Sequence, residues 1–202
     1  MEPFTHLTAV AVPIDLPNVD TDRIIPARFL RKPQSPEYAR FLFHDVRFDG
    51  EGRERPEFVL NQAPYRQARI VVAAENFACG SSREGAVWAL KAYGVRVVIA
   101  ASLGDIFFEN CFKNGVLAFV LPADVAADMR RQIHERPGAT LTVDLEAQTV
   151  TGPDRTSHRF DVHPFRKQAL VTGQDEIGLT LSHEAAIAAF EARRRAEVPW
   201  LA

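Results

Sequence analysis

The run Cys79-Gly80-Ser81-Ser82-Arg83-Glu84 brings more reactive groups together than any other stretch of the chain. Its glycine, two hydroxyls and guanidinium follow the apolar run Ile70-Val71-Val72-Ala73-Ala74, which reads as a buried strand, and open a helix expected over about 81–93. The unpaired N–H groups and dipole of a helix N-terminus favour an anion, so a carboxylate substrate suits this position. Ser81 and Glu84 also stand at the S-x-x-E spacing of a capping box, which requires no function at all. The two readings are compatible, because a cap would fix the serine at the strand ends where open α/β sheets place ligands.

Other chemistries fit poorly. The chain has no G-x-S-x-G nucleophile elbow, no G-x-G-x-x-G and no G-x-x-x-x-G-K-[ST] phosphate loop. Six histidines (6, 44, 134, 158, 163 and 183) show no H-x-x-x-H pairing, so they read as surface or satisfied residues and none is assigned a role. Cys79 and Cys111 are the only cysteines. Two thiols support neither a disulfide framework nor a thiol-only zinc site, and this chain is expected to bind no cofactor of its own.

The elements that must position this site read as follows. An opening strand is expected over 4–14, stopped by Pro13 and Pro17, and Asn18 to Pro26 reads as a polar turn feeding a short helix or extended piece. Arg31 to Arg55 is rich in Pro, Gly and charge yet carries Phe41, Leu42, Phe43 and Phe48, the pattern of a long mobile excursion with apolar anchors. Strands over 70–74, 95–100 and 116–121 alternate with helices over 81–93 and 102–114, with Gly94 and Gly115 as helix stops. This β-α-β-α-β order argues for parallel strands with crossover helices. A helix over 124–135, short strands over 140–145, 148–151 and 156–162, and a tail helix over about 182–196 complete one α/β domain spanning 1–202.

Composition bounds the partners. Apolar residues make up 47% of 202, with 24 basic against 26 acidic side chains and a net charge of −2, the balance of a globular protein with no footprint for a nucleic-acid backbone. Twenty of the 24 basic residues are Arg, so a lone Arg is weak evidence of anything. No apolar run is long enough for a membrane span, and Met1 to His6 lacks the features of a signal peptide; the expected location is cytoplasmic.

Four motifs together carry a resemblance: Asn18 to Pro26 (NVDTDRIIP), Phe58 to Gln62 (FVLNQ), Asn76 to Glu84 (NFACGSSRE) and Asn110 to Gly115 (NCFKNG). In this order the chain closely resembles the small subunits of 3-isopropylmalate dehydratase, in the aconitase superfamily, over roughly residues 1–195. The resemblance implies the swivelling β/β/α domain of the aconitase type. It also implies docking on a large subunit that holds a [4Fe-4S] cluster, as a heterodimer or heterotetramer. The implied reaction belongs to leucine biosynthesis and moves a hydroxyl between neighbouring carbons of a small hydroxy-diacid by dehydration and rehydration. By the same resemblance Ser81 is the catalytic base. Ser82, Arg83, Asp22 and Thr21 bind or orient the substrate, and Phe29, Leu30 and Arg31 form a specificity loop within a mobile segment at about 28–56.

The chain departs from the usual S-S-R-E-H-A-P-W-A-L pattern at Gly85, where His is usual, and at Val87, where Pro is usual. Gly85 is expected to open room beside the serines, which bears on the substrate more than on the reaction class. Paralogous hydro-lyases for citraconate/2-methylmalate, maleate/malate or homoaconitate stay open as alternatives, as does a non-catalytic regulatory chain.

Overall fold

One strand joins two kinds of sheet. In the computed structural model, which describes residues 1–80 and 82–201, β1 (His6–Ile14) pairs along its second half in parallel with β2 (Ile70–Ala73), from Ala11 opposite Ile70 to Ile14 opposite Ala73. Its first half pairs antiparallel with β5 (Thr140–Asp144), from His6 opposite Asp144 to Val10 opposite Thr140. Beyond β2 lie β3 (Val97–Ala100) and β4 (Leu117–Val120), both parallel; beyond β5 lie β6 (Thr149–Thr151) and β7 (Ser157–Arg159), both antiparallel. The seven strands therefore run in the order β4-β3-β2-β1-β5-β6-β7.

Side-chain pattern follows this division. All of Ile70–Ala73 and Val97–Ala100 is buried, as parallel strands covered on both faces require. In β5, by contrast, buried Leu141 and Val143 alternate with more exposed Thr140, Thr142 and Asp144, the two-residue period of a strand with one wet face.

The helices in chain order are α1 (Thr21–Ile24), α2 (His44–Arg47), α3 (Glu84–Tyr93), α4 (Asp105–Lys113) and α5 (Ala123–Glu135). They are followed by α6 (Pro164–Thr172), α7 (Glu176–Leu181) and α8 (Glu184–Glu197). The crossovers α3 and α4 pack together, and α5 lies across β1, β2 and β3. One expected strand needs correction. The strand expected over 156–162 ends at Arg159, because Phe160 turns inward to stack on Phe119 at 3.8 Å and Pro164 starts α6. Neither α6 nor α7 is foreseen in the sequence reading.

The 31–55 excursion is folded onto the body. A 3₁₀ turn over Pro36–Arg40 packs on α3, and Tyr38, Leu42 and Phe43 are almost fully buried. Asn61 clamps its far end: its side-chain oxygen accepts from Arg47 Nε at 2.9 Å, while its amide donates to the carbonyls of Arg47 and Arg55 at 2.8 and 2.9 Å. The Phe58 to Gln62 motif is thus a structural latch for the excursion. Burial lowers the pKa of Arg47, and this latch supplies the hydrogen bonds that a buried guanidinium needs.

Candidate active site

Three loops leave the C-terminal edge of β1, β2 and β3 and are laced together there by main-chain hydrogen bonds. From the loop after β1, Asn18 N donates to Glu75 O at 3.1 Å and Thr21 N to Cys79 O at 3.1 Å, while Ala78 N returns a bond to Val19 O at 2.6 Å. The loop after β3 joins through Ser102, whose hydroxyl accepts from Asn76 N at 2.7 Å, and through Gly104 N, which donates to Phe77 O at 2.9 Å. This is the edge at which open α/β sheets bind ligands. A cavity of about 400 Å³ opens here beside Cys79, Gly80 and the start of α4.

Close approach of the loops dictates two glycines. Gly104 sits where a Cβ would run into the carbonyl of Ala78, so only glycine lets the third loop reach the second. Gly80 adopts a φ of +86°, a left-handed conformation that turns the chain from the strand end toward α3.

The resemblance-derived residues fall around this edge. Asp20 is the N-cap of α1, its carboxylate accepting from Arg23 N at 2.7 Å, which places Thr21 and Asp22 in the first turn. Thr21 is buried and Asp22 exposed. Arg83 is the N-cap residue of α3, and its Nη1 forms an ion pair with Asp22. Ser82 is exposed next to it. Ser81 lies outside the described residues.

The Ser81 half of the expected capping box lies outside the described residues; Arg83 occupies the N-cap position of α3, and its side chain makes no capping hydrogen bond. Glu84 instead accepts from Asn114 Nδ2 at 2.9 Å, tying α3 to the end of α4. The Glu84 carboxylate is thus engaged with α4, and the start of this ten-residue helix carries the positive end of its dipole, which favours an anion.

The specificity-loop residues divide. Phe29 is half-buried, stacked on Phe41 at 4.3 Å and tilted against His44, so its ring serves the packing of the loop. Leu30 is half-buried and Arg31 exposed. Gly85 does not open room: a Cβ there would lie 2.8 Å from Leu30 Cδ2, 3.2 Å from the Tyr38 hydroxyl and 3.7 Å from Ile25 Cδ1. Leu30, Tyr38 and Ile25 already fill the space that a side chain at 85 would take.

The thiols do not form a metal-binding set. Cys111 is fully buried in α4, and burial pushes its thiol well above the usual range, whereas Cys79 is half-exposed in the loop after β2. Among the described residues, no group of three or more His, Cys, Asp or Glu could hold a metal ion.

Comparison with known proteins decides the family. Residues 1–124 match the aconitase C-terminal domain, residues 128–164 match LeuD_N, and residues 176–202 match the C-terminal domain of the 3-isopropylmalate dehydratase small subunit. A 3-isopropylmalate dehydratase small subunit from Rhodospirillum centenum is 53% identical over 99% of this chain and 98% of its own. The chain belongs to the family of 3-isopropylmalate dehydratase small subunits. A small subunit from Paramagnetospirillum magneticum is 50% identical over the full length of both chains. The crystal structure of 3-isopropylmalate dehydratase from Methanocaldococcus jannaschii superposes with a TM-score of 0.67, covering 91% of this chain and 98% of that one at 22% identity, which establishes the shared fold. Family membership makes the chain part of a hydro-lyase of leucine biosynthesis that works with a large subunit.

Sequence reasoning placed Asp22 and Arg83 at one site without pairing them, and it missed Asn114 as the partner of Glu84. The Asn110 to Gly115 motif carried the signal for Asn114, since an asparagine before a helix-stopping glycine is placed to reach back across the helix end.

Proposed function

We propose that this chain supplies the acid–base half of an isopropylmalate isomerase, converting 2-isopropylmalate and 3-isopropylmalate through 2-isopropylmaleate when docked on a large subunit. The observation that carries the reading is the Arg83–Asp22 pair, which holds a guanidinium at the start of α3, at the edge where open α/β sheets bind ligands.

Removing a proton from the carbon beside a carboxylate builds a second negative charge on that carboxylate, so the site must offer both a base and cationic stabilisation. Ser81, as its alkoxide, takes the proton. The positive end of α3 and Arg83 favour the ionised serine. Loss of the hydroxyl from the neighbouring carbon, as water after protonation, leaves the alkene diacid. Water then adds back with the hydroxyl on the other carbon, and the Ser81 hydroxyl returns its proton to the carbon that lacks it.

Arg83 clamps a substrate carboxylate through the part of its planar fork that Asp22 does not take, a task for which lysine is the wrong shape. Asp22 orients Arg83, Thr21 fixes the turn beneath it, and Ser82 offers a second hydroxyl. The chain's two thiols do not fit a four-thiolate cluster, one being sealed inside α4, so the [4Fe-4S] cluster is assigned to the large subunit. The proposed location of the complex is the cytoplasm; among the described residues, no helix is long and apolar enough to cross a membrane.

An apolar Leu30 against Gly85 supports an aliphatic substituent on the substrate over a third carboxylate. Co-expression with the large subunit and assay against 2-isopropylmalate, 2-methylmalate, malate and homoaconitate tests the reading. Turnover led by 2-isopropylmalate is expected; turnover led by homoaconitate, or none with any diacid, overturns it.

A further inference from the structure

We propose that Gly85 is a specificity-determining residue, which acts by fixing how deeply Leu30 seats against the first turn of α3. This deepens the isomerase reading and rests on it, because it assigns Leu30 to the wall that receives the aliphatic group of the substrate.

The position is one of the two, with Val87, at which this chain departs from the pattern of the resemblance, having glycine in place of histidine. Gly85 is the second residue of α3, two positions after the Arg83 clamp, and is itself buried. The volume that its missing side chain leaves is taken by Leu30 from the loop after α1, at 2.8 Å from the ideal Cβ position, with the Tyr38 hydroxyl at 3.2 Å. Leu30 is only half-buried, so one side of it is seated on the helix and the rest remains accessible. Its seat is otherwise held from behind. Phe29 stacks on Phe41, and Arg28 ion-pairs with Asp45 of α2, so the backbone on the N-terminal side of Leu30 is tied to the excursion.

Those ties decide which atom yields when a side chain is added at 85. The helix backbone is held between α1, α4 and the 3₁₀ turn over Pro36–Arg40, while Leu30 Cδ2 is the free end of a flexible side chain. A methyl group at 85 therefore rotates or lifts Leu30 outward and moves the wall that the proposal assigns to the aliphatic group. The Tyr38 hydroxyl, buried and without a hydrogen-bond partner, is the second group that meets the added atom. It gives by a few tenths of an ångström at most, since its ring is wedged between Phe41 and Trp88. Helix stability changes in the opposite sense, because alanine is a better helix residue than glycine.

The test uses complexes reconstituted with the large subunit, comparing kcat/KM for 2-isopropylmalate with that for 2-methylmalate. In Gly85→Ala the ratio is expected to fall about 10-fold, the scale set by one or two methylenes in an apolar pocket, with the melting temperature maintained. Adding Leu30→Val removes the Cδ atom that meets the new methyl, and the double variant Gly85→Ala/Leu30→Val is expected to recover most of the ratio. An unchanged ratio in Gly85→Ala, or equal loss on both diacids that Leu30→Val does not relieve, overturns the role of Gly85 and leaves the isomerase reading standing. A wild-type complex that assembles but turns over neither diacid overturns the isomerase reading, and this inference with it.

Discussion

Arg83 and Asp22, 61 residues apart in the chain, form an ion pair that joins the start of α3 to the first turn of α1. The arginine is largely covered and the carboxylate largely exposed, at 14% and 55% side-chain exposure, so Asp22 steers a sheltered guanidinium from the solvent side. Such a pair contributes little to stability, on the order of 0–1 kcal/mol where one partner is this exposed. Its value lies in orientation. Asp22→Asn is therefore expected to leave the melting temperature within about 2 °C of wild type, by the usual scaling for a domain of this size, and to raise KM several-fold. Arg83→Lys keeps the charge but loses the planar fork, and KM rises more than 10-fold in steady-state assays of the complex. Unchanged KM in both variants removes the pair from substrate binding.

Gly104→Ala tests the lacing of the loops. The added Cβ would meet the carbonyl oxygen of Ala78 and lie 3.0 Å from its carbonyl carbon, and a backbone cannot swing aside as a side chain can. Destabilisation of about 1–3 kcal/mol is expected by urea denaturation, as for other overpacked sites. A fully stable variant would show that the loops after β2 and β3 are not held together as described.

Asp45 gives a pH signature. A hydrogen bond from Arg28 is the main cause that lowers its carboxyl from 3.8 to about 2, and the pair ties the turn before Leu30 to α2. Because the folded pKa is the lower one, the stabilisation is fully present above the unfolded value and is lost as pH falls through about 4 to about 2. Both side chains are more than half exposed, so the effect is small. The gap in melting temperature between wild type and Asp45→Asn is expected to be constant from pH 7 to 5 and to have lost most of its size by pH 2. A gap that is undiminished at pH 2 contradicts the assignment.

How much of this was legible in the sequence depended on the range of the interaction responsible. Strands β2, β3 and β4 were readable because their burial is continuous and local, as in Ile70-Val71-Val72-Ala73, and the same holds for the helix ended by Gly94. Helix α6 was missed because its apolar positions, Phe165, Leu170 and Val171, form only a weak stripe after a stretch that ends in strand-like Phe160 and Val162. The S-x-x-E spacing suggested a cap, yet a contact 30 residues away, from Asn114 to Glu84, took the carboxylate. Gly85 misled for the same reason: a missing side chain reads as open space until tertiary structure shows Leu30 occupying it.

The central claim is that this chain contributes the base, and Ser81→Ala in the reconstituted complex tests it most directly. Arg83 occupies the N-cap position of α3, and melting temperature and assembly with the large subunit are expected to stay close to wild type. In that variant kcat for 2-isopropylmalate is expected to fall by about 1,000-fold or more while KM changes little, the pattern of a group that acts in the transition state. A Ser81→Ala complex that retains most of the wild-type kcat would contradict it.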